Sequence, residues 1–220
     1  IIGSGNHVRS FLHRTPRNTL VELPLAWYSE GGGQWAMNPG FDQPDHWGFR
    51  REITYDCMFC HNGYPTGGVR GGSETVFPAS LPEGIDCQRC HGPGRRHVAL
   101  ASSPEATPER VREAIVNPAR LSTDRQLEVC MQCHLETTSA PLPNSVRRYD
   151  RLPFSYIPGQ RLEDFRWYFD HEPGTGHDDK FEIVSAAYRL RQSVCFRESA
   201  GALLCTTCHD PHGDTAPDSF

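Results

Sequence analysis

The stretch Cys87-Gln88-Arg89-Cys90-His91 is one of four copies of the pattern Cys-x-x-Cys-His in this chain of 220 residues. From the 9 cysteines and 11 histidines of the chain, chance predicts about 0.02 copies of the pattern. The other three copies are Cys57-Met58-Phe59-Cys60-His61, Cys130-Met131-Gln132-Cys133-His134 and Cys205-Thr206-Thr207-Cys208-His209. The repeat therefore carries information about function that composition alone does not explain.

The spacing within the repeat predicts covalent haem attachment. Two thiols three residues apart can form thioethers to the two vinyl groups of one haem, and the adjoining histidine then reaches the iron as the proximal ligand. We predict four covalently attached c-type haems, tethered by Cys57, Cys60, Cys87, Cys90, Cys130, Cys133, Cys205 and Cys208. The predicted proximal iron ligands are His61, His91, His134 and His209.

The composition agrees with a chain that builds its interior around large cofactors. Leu, Ile, Val and Phe make up 44 of 220 residues, or 20%, which is at the edge of the range for disordered chains. Four Trp and seven Tyr do not suit a disordered chain, so porphyrins would supply the missing apolar interior. The 38 Gly and Pro residues predict many turns, so the expected fold is mostly irregular with short α-helices and few short strands.

Two other readings of paired cysteines are weaker. Four Cys-x-x-Cys pairs could form two zinc sites of four thiolates each, but this leaves the histidine after every second cysteine unexplained. Disulfides between cysteines so close together are sterically poor, and a thioredoxin-type site needs one motif beside a βαβ pattern.

The motifs resemble those of multihaem c-type cytochromes. The segments 84–94 (GIDCQRCHGPG) and 205–212 (CTTCHDPH) are similar to the tetrahaem family that includes the electron acceptor of hydroxylamine oxidoreductase. The segment 55–62 (YDCMFCHN) also resembles bacterial cytochromes in which such a domain precedes tetratricopeptide repeats. The resemblance implies a stacked haem chain, haem attachment outside the cytoplasm, in the periplasm or the extracellular space, and electron transfer.

Seven histidines lie outside the repeat and are candidates for the distal side of the irons: His7, His13, His46, His97, His171, His177 and His212. His97, beyond the turn Gly92-Pro93-Gly94, and His212, beyond Asp210-Pro211, match positions that the resemblance makes distal ligands. His7 and His177 complete the predicted set, with His46 and His171 in reserve. For His13 a surface role is favoured. Cys195 has no partner cysteine, and we expect a buried free thiol.

We expect one tetrahaem domain over residues 1–220. Residues 1–56 form an arm without an attachment motif, 57–134 carry haems 1–3, and 135–220 hold a long loop at 135–180, a helix and haem 4. Strands are predicted at 20–23 and 51–55, and helices at 107–117, from Thr123 with Gln126 as a capping box, and at 181–191. Arg95, Arg96, Arg147 and Arg148 are candidates to pair with haem propionates.

The predicted function is transfer of single electrons between redox partner proteins through mainly bis-histidine haems. The protein is expected to be either a soluble shuttle or the repeating subunit of a conductive extracellular filament, in which haems of neighbouring copies meet. The alternative is a haem enzyme that reduces or oxidises a small nitrogen compound at a five-coordinate iron. The spare histidines argue for an electron-transfer protein over an enzyme. The net charge of −5 gives no case for nucleic-acid binding, and no apolar run is long enough for a membrane span.

Overall fold

The computed structural model describes residues 2, 7–46, 48–65, 75–135, 145–169, 172, 174–176 and 186–213. The chain separates into two compact units, the first formed by Ile1–Cys87 with His212–Phe220 and the second by Gln88–Pro211. The single tetrahaem domain over residues 1–220 stays a prediction. Among the described residues, no helix is both long and apolar enough to cross a bilayer.

A four-stranded antiparallel sheet organises the first unit. Strand β1 covers Val8–Arg14, β2 Leu20–Tyr28, β3 Gln34–Met37 and β4 Glu52–Ile53. β2 pairs with all three of the others. The predicted strand at 20–23 is the beginning of the longer β2, and the predicted strand at 51–55 shortens to β4 because helix geometry begins at Tyr55.

The longer strands of this sheet were not predicted, and Pro24 explains part of the reason. The register shifts between Ser10 and Leu12 of β1, so the β2 residues opposite this step, which include Pro24, lie at an irregularity of the ladder. Proline is tolerated at such bulges because it has no N–H to donate. Pro24 therefore interrupts the sequence pattern without ending the strand.

Helix α1, Tyr55–His61, follows β4 and carries the first attachment motif. The Thr54 hydroxyl caps it by accepting the N–H of Cys57 at 3.3 Å. Tyr55, Met58 and Phe59 are buried, and the Tyr55 ring lies 4.5 Å from the ring of Phe77. Met58 and Phe59 lie between the two cysteines of the motif. Their burial therefore anchors the motif to the core of the first unit.

Short helices dominate the second unit. They are α2 Gln88–His91, α3 Arg95–Ala101, α4 Pro108–Glu113, α5 Thr123–His134, α6 Ala186–Gln192 and α7 Val194–Glu198. The helix predicted after Thr107 is confirmed as α4, with Thr107 as its cap and Pro108 in its first turn, although it ends before Asn117. Asn117 instead caps a short 3-10 turn at Pro118–Arg120.

Two other helix predictions have different outcomes: one needs a correction, and the other lies partly outside the residues that the structure describes. The capping box of Thr123 and Gln126 is wrong: Ser122 is the N-cap of α5, and the Gln126 amide donates to the Leu121 carbonyl at 2.8 Å instead. The helix predicted at 181–191 is described only from Ala186, and its predicted core residue Ala187 is buried. Residues 181–185 lie outside the described residues.

The segment predicted as one long loop, 135–180, contains regular structure. Strands β5 (Ser145–Arg147) and β6 (Arg166–Tyr168) pair antiparallel, and a 3-10 turn at Leu162–Asp164 precedes β6. Phe154, Tyr156, Leu162 and Phe165 from this segment are buried. The segment therefore contributes a core layer to the second unit.

Candidate haem sites

The first motif lies on α1 with its cysteines partly exposed. The Thr54 hydroxyl lies 3.4 Å from the Cys57 thiol, and His61 is exposed at the end of the helix. Asn62 and Gly63 directly after it are buried, and the Gly63 N–H donates to the Gly84 carbonyl at 2.7 Å. Buried neighbours on both sides hold the motif, while the thiols and imidazole stay accessible to a porphyrin.

The second motif is set by α2 and by the turn that follows it. Gly92 has a φ of +74°, a conformation that favours glycine, and it ends α2 as the sequence predicts. The Nδ1 of His91 lies 2.8 Å from the Val116 carbonyl oxygen. Because a carbonyl only accepts, Nδ1 carries the proton and Nε2 is the nitrogen with the lone pair, as an iron ligand requires.

The third and fourth motifs end different elements of the second unit. Cys130, Cys133 and His134 occupy the last turns of α5, and Cys205 begins a 3-10 turn, Cys205–Thr207, that leads to Cys208 and His209. The His209 N–H donates to the Cys205 carbonyl at 3.0 Å. His134 and His209 are both exposed.

Thiols from three motifs meet in the second unit. The Cys130 and Cys205 thiols are hydrogen-bonded to each other, which raises the pKa of Cys130 and lowers that of Cys205 to about 7. Burial adds to the rise in the pKa of Cys130, and Cys90 and Cys133 are close enough to raise it further by charge repulsion. The fold therefore brings attachment positions of the second, third and fourth motifs into one neighbourhood.

Two predicted distal ligands have their rings oriented for metal binding. The Nδ1 of His97 lies 2.9 Å from the Val111 carbonyl oxygen, so its Nε2 carries the lone pair. The Nδ1 of His7 lies 3.2 Å from the Glu30 carboxylate, on an exposed part of the first unit. Carbonyl and carboxylate partners of this kind commonly orient metal-binding histidines.

His46 has the opposite arrangement. Its Nδ1 accepts the N–H of Gly48 at 2.9 Å, so the proton of the neutral ring is on Nε2. A protonated nitrogen has no lone pair for iron, which makes His46 a poorer distal candidate than His7. The exposed His13 lies on β1, His212 is exposed, and His171 and His177 lie outside the described residues. The complete ligand set stays a prediction.

Cationic side chains show what sequence reasoning missed. The predicted propionate partners Arg95 and Arg96 are exposed, and Arg148 lies over the Trp167 ring at 5.3 Å. Among the residues that the structure describes, the buried arginines are instead Arg89 and Arg166, at 1% and 8% exposure. Charged residues are seldom buried, so no sequence pattern singled these two out.

The prediction of a buried Cys195 is wrong, because the residue is exposed. It lies on α7, a five-residue helix with no buried residue. The apolar letters around it, Val194 and Phe196, suggested a core position, yet Val194 is itself 63% exposed.

A cavity of about 820 Å³ lies beside α5 in the second unit. Leu127, Met131 and Trp167 form apolar parts of its wall, while Arg166 and Glu128 add charge. Burial raises the pKa of Glu128, and the neighbouring Arg125 opposes that rise. The charged part of the lining is balanced, with three acidic residues (Asp124, Glu128 and Glu163) and three basic ones (Arg125, Arg166 and Arg191), and no attachment cysteine is among the lining residues.

The donor set as a whole fits haem c. Paired thiols precede each proximal imidazole, and His91 and His97 have their Nδ1 protons held by carbonyl oxygens. Within the described ranges, no three or more His, Cys, Asp or Glu side chains gather as a metal-binding group. A haem iron takes only one axial side chain from each side of the porphyrin, so such a group is not what a haem site presents.

These features are those expected of a site for covalent haem attachment, and one comparison points the same way. The chain is 22% identical over 167 residues to the multiheme cytochrome MtrA of Shewanella baltica (strain OS185), which covers 71% of this chain and 45% of the relative. The chain thus spans about half the length of the relative that it matches. No family model and no solved structure matches it. The distant similarity supports a multihaem electron-transfer cytochrome with c-type haem.

Proposed function

We propose that the chain is a tetrahaem c-type cytochrome that carries single electrons outside the cytoplasm. The observation that carries this proposal is the fourfold Cys-x-x-Cys-His repeat, together with the His91 ring, whose Nδ1 proton is held by the Val116 carbonyl so that Nε2 is available to an iron. When bound, the haem irons supply the one-electron chemistry, and the protein sets their spacing, ligation and charge environment.

The chain's own residues would hold each haem in a closed site. The thiols tether the porphyrin, and the imidazoles of the repeat take one side of the iron. His97, with its Nδ1 held by Val111, is suited to the other side of a neighbouring iron. Two imidazoles per iron leave no open position, which favours electron transfer over small-molecule chemistry.

The haem count tests the proposal directly. The chain should be produced in a host that exports it and attaches haem, then denatured and weighed by mass spectrometry. We expect the polypeptide mass plus four haems, and plus three when Cys57 and Cys60 are both replaced by Ala. A mass equal to the bare polypeptide would refute the proposal, and failure to load haem only when export is blocked would support the assigned location.

A conductive filament is the second candidate, and His7 favours it. His7 is 55% exposed and is oriented by Glu30, so its Nε2 can serve an iron of another copy of the chain as well as its own. Contacts that repeat head to tail without closing build fibres. Size-exclusion chromatography and negative-stain microscopy decide: a stable monomer whose irons are all low-spin would exclude the filament and leave the shuttle.

The haem enzyme is the third candidate, and it requires an iron that no distal histidine closes. Since Nε2 of His46 carries the proton, one predicted reserve ligand is removed from the set that could close all four irons. An enzyme of this kind requires a high-spin iron that binds cyanide or nitric oxide. Electron paramagnetic resonance of the oxidised protein distinguishes it from a carrier with only low-spin irons.

A further inference from the structure

The two residues between the cysteines are not equivalent in the four motifs. Arg89 of the second motif is 1% exposed and Gln132 of the third motif is 3% exposed, whereas Thr206 and Thr207 of the fourth motif are exposed. Polar side chains are buried when they have hydrogen-bonding partners. The burial of Gln132 and Arg89 therefore calls for a structural reason.

A hydrogen bond between the second and third motifs accounts for the burial of the Gln132 amide nitrogen. The Nε2 of Gln132 donates to the Arg89 carbonyl oxygen at 2.8 Å and to the Val129 carbonyl oxygen of its own helix at 2.7 Å. The Arg89 carbonyl forms the peptide bond to Cys90, and Gln132 immediately precedes Cys133. One side-chain amide thus ties together the backbones that carry two attachment cysteines.

The loop of the second motif is also held from its other side. The Arg89 guanidinium lies 5.1 Å from the centre of the Phe154 ring, and Phe154 is itself buried. The second-motif histidine, His91, is anchored by the Val116 carbonyl. Because these contacts already hold the second motif, the hydrogen bond from Gln132 to Arg89 acts on the separation between the second and third motifs.

We propose that Gln132 is a positioning residue that sets the distance between the second and third attachment loops, and so the electronic interaction of the two haems they would hold. This inference rests on the proposed function, because it requires both haems to be attached.

The test compares Gln132→Leu with Gln126→Leu in the full-length haem-loaded protein. Gln126 lies on the same helix and also donates its Nε2 to a backbone carbonyl, that of Leu121 at 2.8 Å, but this carbonyl belongs to no attachment motif. Both variants lose one amide from α5, and only Gln132→Leu loses the tie between loops. Gln132→Glu is the second test variant, because it keeps the side-chain size and replaces the donor by an acceptor.

We expect all three variants to retain four haems by denatured mass. In Gln132→Leu and Gln132→Glu, the magnetic broadening between adjacent ferric haems should weaken in electron paramagnetic resonance spectra. The midpoint potentials in a spectroelectrochemical titration should also shift, while Gln126→Leu keeps the wild-type spectrum and potentials. Wild-type spectra and potentials in both Gln132 variants would overturn the inference, whereas a wild-type protein without haem would instead refute the proposed function.

Discussion

The two units of the chain solve the same packing problem in different ways. The first unit joins four strands into one sheet and carries a single complete attachment motif on α1. The second unit has a two-stranded pairing and six short helices among its described residues, and thiols of three motifs lie together in it. If the proposed haems are attached, the first unit needs only one porphyrin beside a core formed by strand pairing, and the second needs several because its short helices bury little surface.

The units also differ in what orients their predicted distal histidines. His97 in the second unit is held by a neutral backbone carbonyl, and His7 in the first by the carboxylate of Glu30. A carboxylate makes an imidazole a more basic ligand than a carbonyl does. The comparison predicts a lower reduction potential for an iron bound by His7 than for one bound by His97.

The largest expected effect is on the number of haems lost, and it tests whether the second unit holds more haems than the first. Replacing Cys130 and Cys133 together by Ala should cost the second unit more than one haem, because the remaining attachment sites share its interior. Replacing Cys57 and Cys60 should cost only the first haem. Cavities destabilise cores by roughly 24 cal/mol per Å³, so an absent porphyrin is a large loss.

Denatured mass and limited proteolysis measure this difference. The first-motif variant serves as the matched control, since it also removes two thiols and one porphyrin. Equal haem loss and equal protease resistance in the two variants would contradict the idea of a shared interior in the second unit.

The second expected effect concerns the orientation of the histidine rings. His7→Ala and His97→Ala should each convert one low-spin iron to high spin, because each removes a ring whose Nε2 carries a lone pair. His46→Ala should leave every iron low-spin, since its Nε2 carries the proton. Absorption and electron paramagnetic resonance spectra of the oxidised proteins check the result, and a high-spin signal from His46→Ala alone would reverse our assignment.

Glu30→Gln sharpens the same comparison by a smaller change. The amide still accepts a hydrogen bond from His7 through its oxygen but carries no charge. The potential of the iron bound by His7 should therefore rise while its low-spin state persists. A redox titration measures the shift, and a potential unchanged from wild type would mean that Glu30 does not act on a bound iron.

The sequence predicted the parts of the structure that depend on local chemistry. Helix α4 follows from Thr107 and Pro108, and the turn after His91 follows from Gly92. Contacts between distant residues were not predictable in this way. β1 carries Arg9 and His13 among its apolar residues, so its pairing with β2 left little periodic signal.

The interior of the second unit shows the same limit for the candidate site. Arg89 is a residue type that is mostly exposed, and Gln132 is a residue of ordinary polarity within an attachment motif. Their burial and their hydrogen bond depend on how α2 and α5 pack. The orientation of the His46 ring likewise depends on the backbone N–H of Gly48, which no spacing rule reveals.

A stability prediction tests the core of the first unit. Tyr55 is 1% exposed, packs on Phe77, and donates its hydroxyl to the Val76 carbonyl at 3.2 Å. Tyr55→Ala should lower the free energy of unfolding by about 3–5 kcal/mol through the cavity it leaves. Tyr55→Phe, which keeps the ring and loses the hydrogen bond, should cost about 1 kcal/mol. Denaturant titration of the haem-loaded protein measures both, and equal losses would mean that the ring contributes nothing beyond its hydroxyl.

The smallest expected effect concerns Glu128 in the second unit and depends on pH. Burial raises the pKa of this carboxyl, against the opposing attraction of Arg125. A carboxyl whose pKa is higher in the folded than in the unfolded protein binds its proton more readily when folded. Its contribution to stability therefore grows as the pH falls through the folded pKa, and is lost as the pH rises.

Glu128→Gln should flatten this part of the stability profile in denaturant titrations from neutral pH to below pH ~4.5. Glu113→Gln, which removes an exposed acidic residue on α4 that does not act on Glu128, is the control and should leave the slope in place. If Glu128→Gln keeps the wild-type slope, desolvation of this carboxyl does not oppose folding, and the ion pair with Arg125 offsets its burial.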